Sequence, residues 1–201
     1  MIILGLTGGI CSGKTLISNW FKEKDCVVFN ADKIVKDLYT SNQNIIIKII
    51  QEFGEQVKKS NNELNTQKIS DIVFNNKDKL LKLETIVHPE VKNKIISEIK
   101  KIDTNNIVII DAPLLLEAGF DDIVDKIIVV SCSEQEQIKR CAKRDNFSID
   151  KIKKIINNQL PLKEKLKKAD FIIDNTEIQT KTRRQFEDLW QTIVTMNKKK
   201  I

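Results

Sequence analysis

A three-layer α/β domain built round a five-stranded parallel sheet is what this 201-residue sequence predicts. Three observations point to it. Short runs of Ile, Val and Leu recur without a polar face, as strands covered on both sides require. Stretches of helical apolar spacing separate them. The first run leads directly into Gly8-Gly9-Ile10-Cys11-Ser12-Gly13-Lys14-Thr15, which fits G-x-x-x-x-G-K-[ST] at every fixed position. In that pattern the glycines let successive backbone N–H groups curl round phosphates, and the N-terminus of the next helix adds partial positive charge. Lys14 is then placed to reach the β- and γ-phosphates of a nucleotide and Thr15 to hold Mg²⁺. The amides from Cys11 to Leu16 line the cradle.

In chain order, Ile2-Ile3-Leu4-Gly5-Leu6-Thr7 reads as a central strand. The helix behind the loop carries Leu16, Ile17, Trp20 and Phe21 on one face and should end near Lys24-Asp25. Cys26-Val27-Val28-Phe29 is a second strand, delivering Asn30-Ala31-Asp32 to the same sheet edge. From Lys33 to about Thr104 the pattern is helical in pieces. Ile34, Val35 and Leu38 make one face, and Ile45, Ile46, Ile49, Ile50 and Phe53 another, stopped by Gly54. Past a turn at Asn61-Asn62 come Ile69, Ile72, Val73 and Phe74, then Leu80, Leu81, Leu83, Ile86 and Val87 up to His88-Pro89. Pro89 suits the first turn of a further helix through Val91, Ile95, Ile96 and Ile99. So many helices between two strands of one sheet imply an inserted helical subdomain over about residues 40–104.

Ile107-Val108-Ile109-Ile110-Asp111 is the next strand. Four apolar residues bury it, and its terminal carboxylate is set beside the phosphate loop to act on Mg²⁺ directly or through water. Ile127-Ile128-Val129-Val130 is the fourth strand. Ser133-Glu134-Gln135-Glu136 has capping-box spacing for a helix carrying Gln137, Arg140, Lys143 and Arg144, of which Arg140 and Arg144 share a face. A short helix follows Ser148, and Gln159-Leu160-Pro161 leads into Lys163 to Lys168. Phe171-Ile172-Ile173-Asp174 is the last strand, reaching Asn175, and the final helix carries Phe186, Leu189, Trp190, Ile193 and Val194.

The net charge is +6 and the pI about 9.0, but the excess sits in Lys163–Lys168, read as an exposed helix, and Lys198–Lys200, read as a frayed tail. No aromatic residues interleave these lysines, so a nucleic-acid partner is not expected. The four cysteines, Cys11, Cys26, Cys132 and Cys141, show no metal-ligand spacing and read as reduced thiols. No stretch is long and apolar enough for a membrane span or a signal peptide. A cytoplasmic protein without membrane contact is the expectation.

On Leu6-Thr7-Gly8-Gly9-Ile10 with Ser12-Gly13-Lys14, Ala31-Asp32, Leu83-Glu84, Ile86-Val87-His88-Pro89, Asp111-Ala112-Pro113-Leu114-Leu115, Glu117, Gln137, Arg140, Arg144, Gln159, Lys165, Ala169-Asp170 and Asn175, the chain resembles the dephospho-coenzyme A kinases over nearly its whole length. The resemblance implies a P-loop kinase fold with a core (1–39, 105–132 and 169–201), a helical substrate-binding insertion (about 40–104) and a small helical lid (about 133–168). It implies transfer of the γ-phosphate of MgATP to the ribose 3′-hydroxyl of dephospho-CoA, by a monomer whose partners are these two small molecules. A kinase of another small acceptor, such as a nucleoside monophosphate, is the alternative.

Asp32, Lys14 and Arg140 are the implied catalytic residues, with Asp32 orienting and deprotonating the hydroxyl or else capping the helix at Lys33. ATP would meet Gly8, Gly9, Ile10, Cys11, Ser12, Gly13, Lys14, Thr15 and Leu16, together with Arg144 and Asn175; the last either reads the adenine or serves a turn. Thr7, Asp32, His88 and Leu115 would meet the acceptor, His88 alternatively marking a helix junction, and Thr15 and Asp111 would hold the metal. Two positions depart from the family. Cys11 stands where glycine is usual and invites thiol chemistry beside Lys14, and Asn30 replaces a second acid, whose role is lost or reduced.

Overall fold

The computed structural model describes the chain except Ser60, Asn62, Asn75 and Ile201, and at Lys199 and Lys200 it describes the backbone alone. Strand β1 (Ile2–Gly8) is buried along almost its whole length, because it is flanked on both sides by other strands and lies under helices. It pairs with β3 (Ile107–Asp111) and β4 (Lys126–Ser131). β2 (Val27–Asn30) adds outside β3, and β5 (Phe171–Asp174) outside β4, giving a parallel sheet in the order β2-β3-β1-β4-β5. Register sets Leu6 opposite Asp111, Asn30 opposite Asp111 and Gly8 opposite Val130. Every strand therefore delivers its C-terminal residue to one edge, where an open parallel sheet places its ligands.

Alternation along β1 decides what each face packs. Leu4 and Leu6 face a cluster with Ile128 and Ile173 of the sheet, Ile17, Trp20 and Phe21 of α1 (Lys14–Glu23), and Phe186, Leu189 and Ile193 of α9 (Gln179–Lys200). Gly5 turns to the other face, where a side chain would collide with Leu115. Phe186 is fully buried against the rings of Trp20 and Phe21, at centroid distances of 5.4 and 4.9 Å.

Two compact units are distinguished, one formed by Met1–Asn30 with the chain from Ile102 onward, the other by Ala31–Lys101. The second unit is helical. α2 (Ala31–Ser41), α3 (Gln43–Phe53) and α4 (Thr66–Phe74) pack on α5 (Lys77–Ile99) through Leu38, Ile45, Ile46, Ile49, Phe53, Ile69, Val73, Val87, Val91, Ile95 and Ile99, all buried. Asn42 and Asn76 cap α3 and α5 by accepting from the amides of Ile45 and Lys79, and Gly54 ends α3 at a φ of 86°. Its first residue is Ala31 rather than one near 40, because α2 packs on α3 and α5.

Two local readings change. Pro89 does not open a new helix but lies inside the continuous α5, so His88 marks no junction. The ring removes one donor, and the rest of this twenty-three-residue helix is held through packing at Val87, Val91 and Ile95. The C-terminal lysines are helical backbone of α9 rather than frayed. Of the turn expected at Asn61-Asn62, Asn61 is in a turn and Asn62 lies outside the described residues.

Replacing Phe186 by Ala removes the ring that joins α1 to α9 and should cost about 3–5 kcal/mol of unfolding free energy. The shift of the urea unfolding midpoint measures it, and a change under about 1 kcal/mol would contradict this packing.

Candidate active site

The phosphate loop is held in a curled shape by two residues at positive φ, Cys11 at 54° and Gly13 at 92°. Gly13 has no substitute there, since a Cβ would strike the Asn175 amide. Some loop amides are already spoken for. Ser12 N donates to Gly9 O at 3.1 Å, Leu16 N to Gly13 O at 2.9 Å, and Ile10 N to Oε1 of Gln159 at 3.0 Å. The amides of Cys11, Gly13, Lys14 and Thr15 make no hydrogen bond among the described residues. These four N–H groups open the N-terminus of α1, so they form a donor set with fixed positive potential and no internal acceptor. Of the amides expected to line the cradle, from Cys11 to Leu16, those of Ser12 and Leu16 are bonded within the chain and these four remain.

Lys14, the first residue of α1, is buried, and its ammonium pairs with Oδ1 of Asp111 at the end of β3. The other Asp111 oxygen accepts from Nδ2 of Asn30 at 3.0 Å. Asn30 is therefore a donor to Asp111, whereas an acid at this position would face a carboxylate at this distance. Thr15 is exposed beside this pair in sequence. Its hydroxyl and the Asp111 carboxylate are hard oxygen donors, the kind Mg²⁺ prefers, so the residues present fit that ion.

Behind the loop stands a buried support. Asn175, just past β5, donates from Nδ2 to Ser12 O at 2.8 Å and accepts from the Thr182 hydroxyl at 2.9 Å. It is 5% exposed with both ends of its amide engaged, so it fastens the loop and does not face a base. Thr7 is fully buried and donates to Pro113 O at 3.0 Å; Leu115 is fully buried against the Gly5 position. Neither side chain is presented to a ligand. Both expectations fail for one reason: the strand-end motif is folded inward to pack the core.

Helix α6 (Glu134–Asp145), capped by Ser133 as its capping-box spacing predicts, lies beside the loop. Gln137 is packed against Gly9, and Arg140 Nη1 is 3.9 Å from where a Cβ on Gly13 would stand. Arg140 is also tied to Glu136 by its Nε at 3.2 Å and donates to Cys132 Sγ at 3.6 Å. Arg144 is exposed and grips Asp145 with two hydrogen bonds of 2.9 and 2.8 Å, so the two arginines differ in place.

One lysine of the run departs from its reading as an exposed helix, while Lys163, Lys167 and Lys168 are exposed as expected. In α8 (Leu162–Lys168), Lys165 is 1% exposed. Its ammonium donates to Pro113 O at 2.6 Å and pairs with Glu117 at 2.9 Å, and Glu117 Oε1 accepts from Leu160 N at 2.8 Å. Burial pushes the Lys165 ammonium below its usual range, against the pull of Glu117. The signal was present: Leu162 and Leu166 flank Lys165 at helical spacing and put it on the apolar face.

The cysteines are not all thiols. Cys11 and Cys141 form a disulfide with a Cα–Cα distance of 5.7 Å across 130 residues of sequence, while Cys26 and Cys132 are free and buried. No local pattern announces a pair so far apart. In the helical unit, Asp32 is exposed in the first turn of α2; the helix begins at Ala31, so Asp32 complements the helix dipole rather than capping at Lys33. His88 is half-buried within α5.

A family model described as dephospho-CoA kinase matches residues 2–180 of this chain. The dephospho-CoA kinase of Fusobacterium nucleatum is 39% identical over 193 residues, covering 96% of this chain and 95% of its own. That of Carboxydothermus hydrogenoformans is 39% identical over 191 residues, covering 94% and 93%. Among solved structures, the dephospho-CoA kinase from Campylobacter jejuni aligns over 97% of this chain and 98% of its own, with a TM-score of 0.71 at 29% identity.

Lys165→Met leaves the half-buried Glu117 carboxylate and the Pro113 carbonyl without their cation and should lower stability by about 3–5 kcal/mol. Adding Glu117→Leu should recover part of that loss. Urea unfolding of parent, single and double variants measures both, and a single variant as stable as the parent would contradict the network.

Proposed function

Because the chain belongs to the dephospho-CoA kinase family and phosphorylates dephospho-CoA with ATP in coenzyme A synthesis, we propose the following division of labour among its residues. The observation that carries it is the set of four unpartnered amides at the head of α1, with Lys14 and Asp111 buried beside them. The amides of Cys11, Gly13, Lys14 and Thr15 donate to the β- and γ-phosphate oxygens of ATP, and Lys14 exchanges its bond to Asp111 for phosphate oxygen. Thr15 and Asp111 would hold Mg²⁺. When bound, that ion supplies positive charge that offsets the charge on the phosphates.

Asp32 orients the ribose 3′-hydroxyl and takes its proton as the oxygen attacks the γ-phosphorus. That role needs a carboxylate ionised at working pH and open to an incoming acceptor, and Asp32 is exposed in a first helical turn. Arg140, already beside Gly13, meets the equatorial oxygens as charge builds on them. Arg144 reaches phosphate only by leaving Asp145, so its contribution is made when nucleotide is bound. His88, with Asp32, belongs to the acceptor side of the reaction. The support given by Asn175, Thr182 and Gln159 fixes the loop before any ligand arrives, so little ordering cost is left for binding. The enzyme works as a monomer.

ATP turnover measured with dephospho-CoA, AMP, CMP and no acceptor tests the acceptor and the base together. Turnover is expected with dephospho-CoA alone. Asp32→Asn should lower kcat by about 10²–10⁴-fold while ATP affinity stays near that of the parent. Comparable turnover on AMP would overturn the acceptor assignment, and an undiminished kcat in the variant would overturn the role of Asp32.

A further inference from the structure

The loop and helix α6 are joined by more than packing. Cys11, half-buried in the loop, is bonded to Cys141, which is fully buried in α6 one position after Arg140. Cys11 holds a left-handed backbone of φ 54° that a side chain rarely adopts, and the same residue supplies one of the four open amides. A covalent bond thus runs from the phosphate cradle to the helix whose Arg140 and Gln137 lie against Gly13 and Gly9. The other cysteines take no part. Cys26 is buried with its thiol pushed up to about 12, and burial also raises that of Cys132.

We propose that Cys11 and Cys141 are a reversible thiol–disulfide site that controls the kinase: oxidised, it clamps α6 and Arg140 onto the phosphate loop and slows turnover; reduced, it lets α6 move with the nucleotide. This rests on the kinase reading above. The oxidant is a low-molecular-weight disulfide, R–S–S–R. The Cys11 thiolate attacks one of its sulfurs and expels R–S⁻, and the Cys141 thiolate then attacks the Cys11 sulfur and expels the second R–S⁻. Two protein thiols lose two electrons and two protons, and the reagent leaves as two R–SH. Two molecules of a low-molecular-weight thiol, one for each step, reverse the sequence and leave as R–S–S–R. Half-exposed Cys11 is the sulfur a small reagent can reach, and buried Cys141 is the resolving partner. The consequence for catalysis is mechanical. ATP must enter and ADP must leave past α6, and a lid that cannot shift slows both.

The test compares the full chain poised in oxidised and in reduced glutathione, with the glutathione then removed and thiols counted. The acceptor is dephospho-CoA methylated on its own thiol, so that the assay does not reduce the enzyme. Oxidised enzyme should show the two free thiols of Cys26 and Cys132 and turn over about fivefold or more slowly than reduced enzyme. Cys141→Ser, or Cys141→Ala if the serine variant does not fold, cannot close the bond, so after oxidation it should carry one glutathione on Cys11, read as a mass gain, and absence of that adduct would overturn Cys11 as the sulfur that meets the reagent. Equal rates in the two states, or four titratable thiols after oxidation, would overturn the switch. Reduced enzyme inactive on the acceptor would overturn the kinase reading instead. Release of a fluorescent ATP analogue, expected to be slower from the oxidised form, then decides the switch by itself, equal release in both forms overturning it.

Discussion

The buried ion pair between Lys14 and Asp111 is the constraint to which the rest of the nucleotide-binding unit conforms. Lys14 opens α1 and Asp111 closes β3, so their contact requires β1 to leave the sheet at Gly8 and the loop to turn back within a few residues. It also requires β3 to lie next to β1 in the register that sets Leu6 opposite Asp111. Asn30, at the end of β2 and opposite Asp111 on its other side, satisfies the second carboxylate oxygen. Burying two opposite charges rarely adds net stability, because desolvation offsets much of their attraction, whereas removing one partner is costly. In the proposed mechanism the pair is a held state, a cation and a carboxylate kept in position to exchange partners for a phosphate and a metal.

Around this pair the loop is pre-shaped from three sides. Asn175 and Thr182 hold Ser12 from the β5 side, Gln159 takes the Ile10 amide, and Gln137 with Arg140 borders the glycines from α6. Lys165 does the same for the segment after Asp111, binding the Pro113 carbonyl while Glu117 reaches on to Leu160. What remains open is the row of amides at the head of α1. A rigid frame with one unsatisfied face is what electrostatic preorganisation demands, since donors that need not reorganise stabilise developing charge at least cost.

Most of the sheet and the loop could be read from the sequence because their signals are local. A strand buried on both faces must be apolar throughout, and a phosphate cradle needs glycine where φ is positive. What escaped reading depended on distant partners. Lys165 looked solvated among other lysines, yet Glu117 and Pro113, some fifty positions away, give its charge a buried home. Leu115 and Thr7 lie in site motifs, but both are fully buried, Thr7 by alternation along β1 and Leu115 in the turn beyond β3, where it packs against the Gly5 position. Pro89 was read as a helix start, whereas packing along α5 carries the helix through it. The bond between Cys11 and Cys141 joins residues with no shared local pattern, and it turns the loop's one unusual residue into its tether.

The central claim is that Lys14 and Asp111 separate when nucleotide binds, the lysine to phosphate and the carboxylate to the metal side. Calorimetric titration of ATP into parent and Asp111→Asn, each with and without Mg²⁺, tests it most directly. The account predicts that ATP alone binds the variant at least as tightly as the parent, since Lys14 is released and one negative charge is gone, and that Mg²⁺ no longer strengthens binding. An undiminished effect of Mg²⁺ on the variant would contradict it.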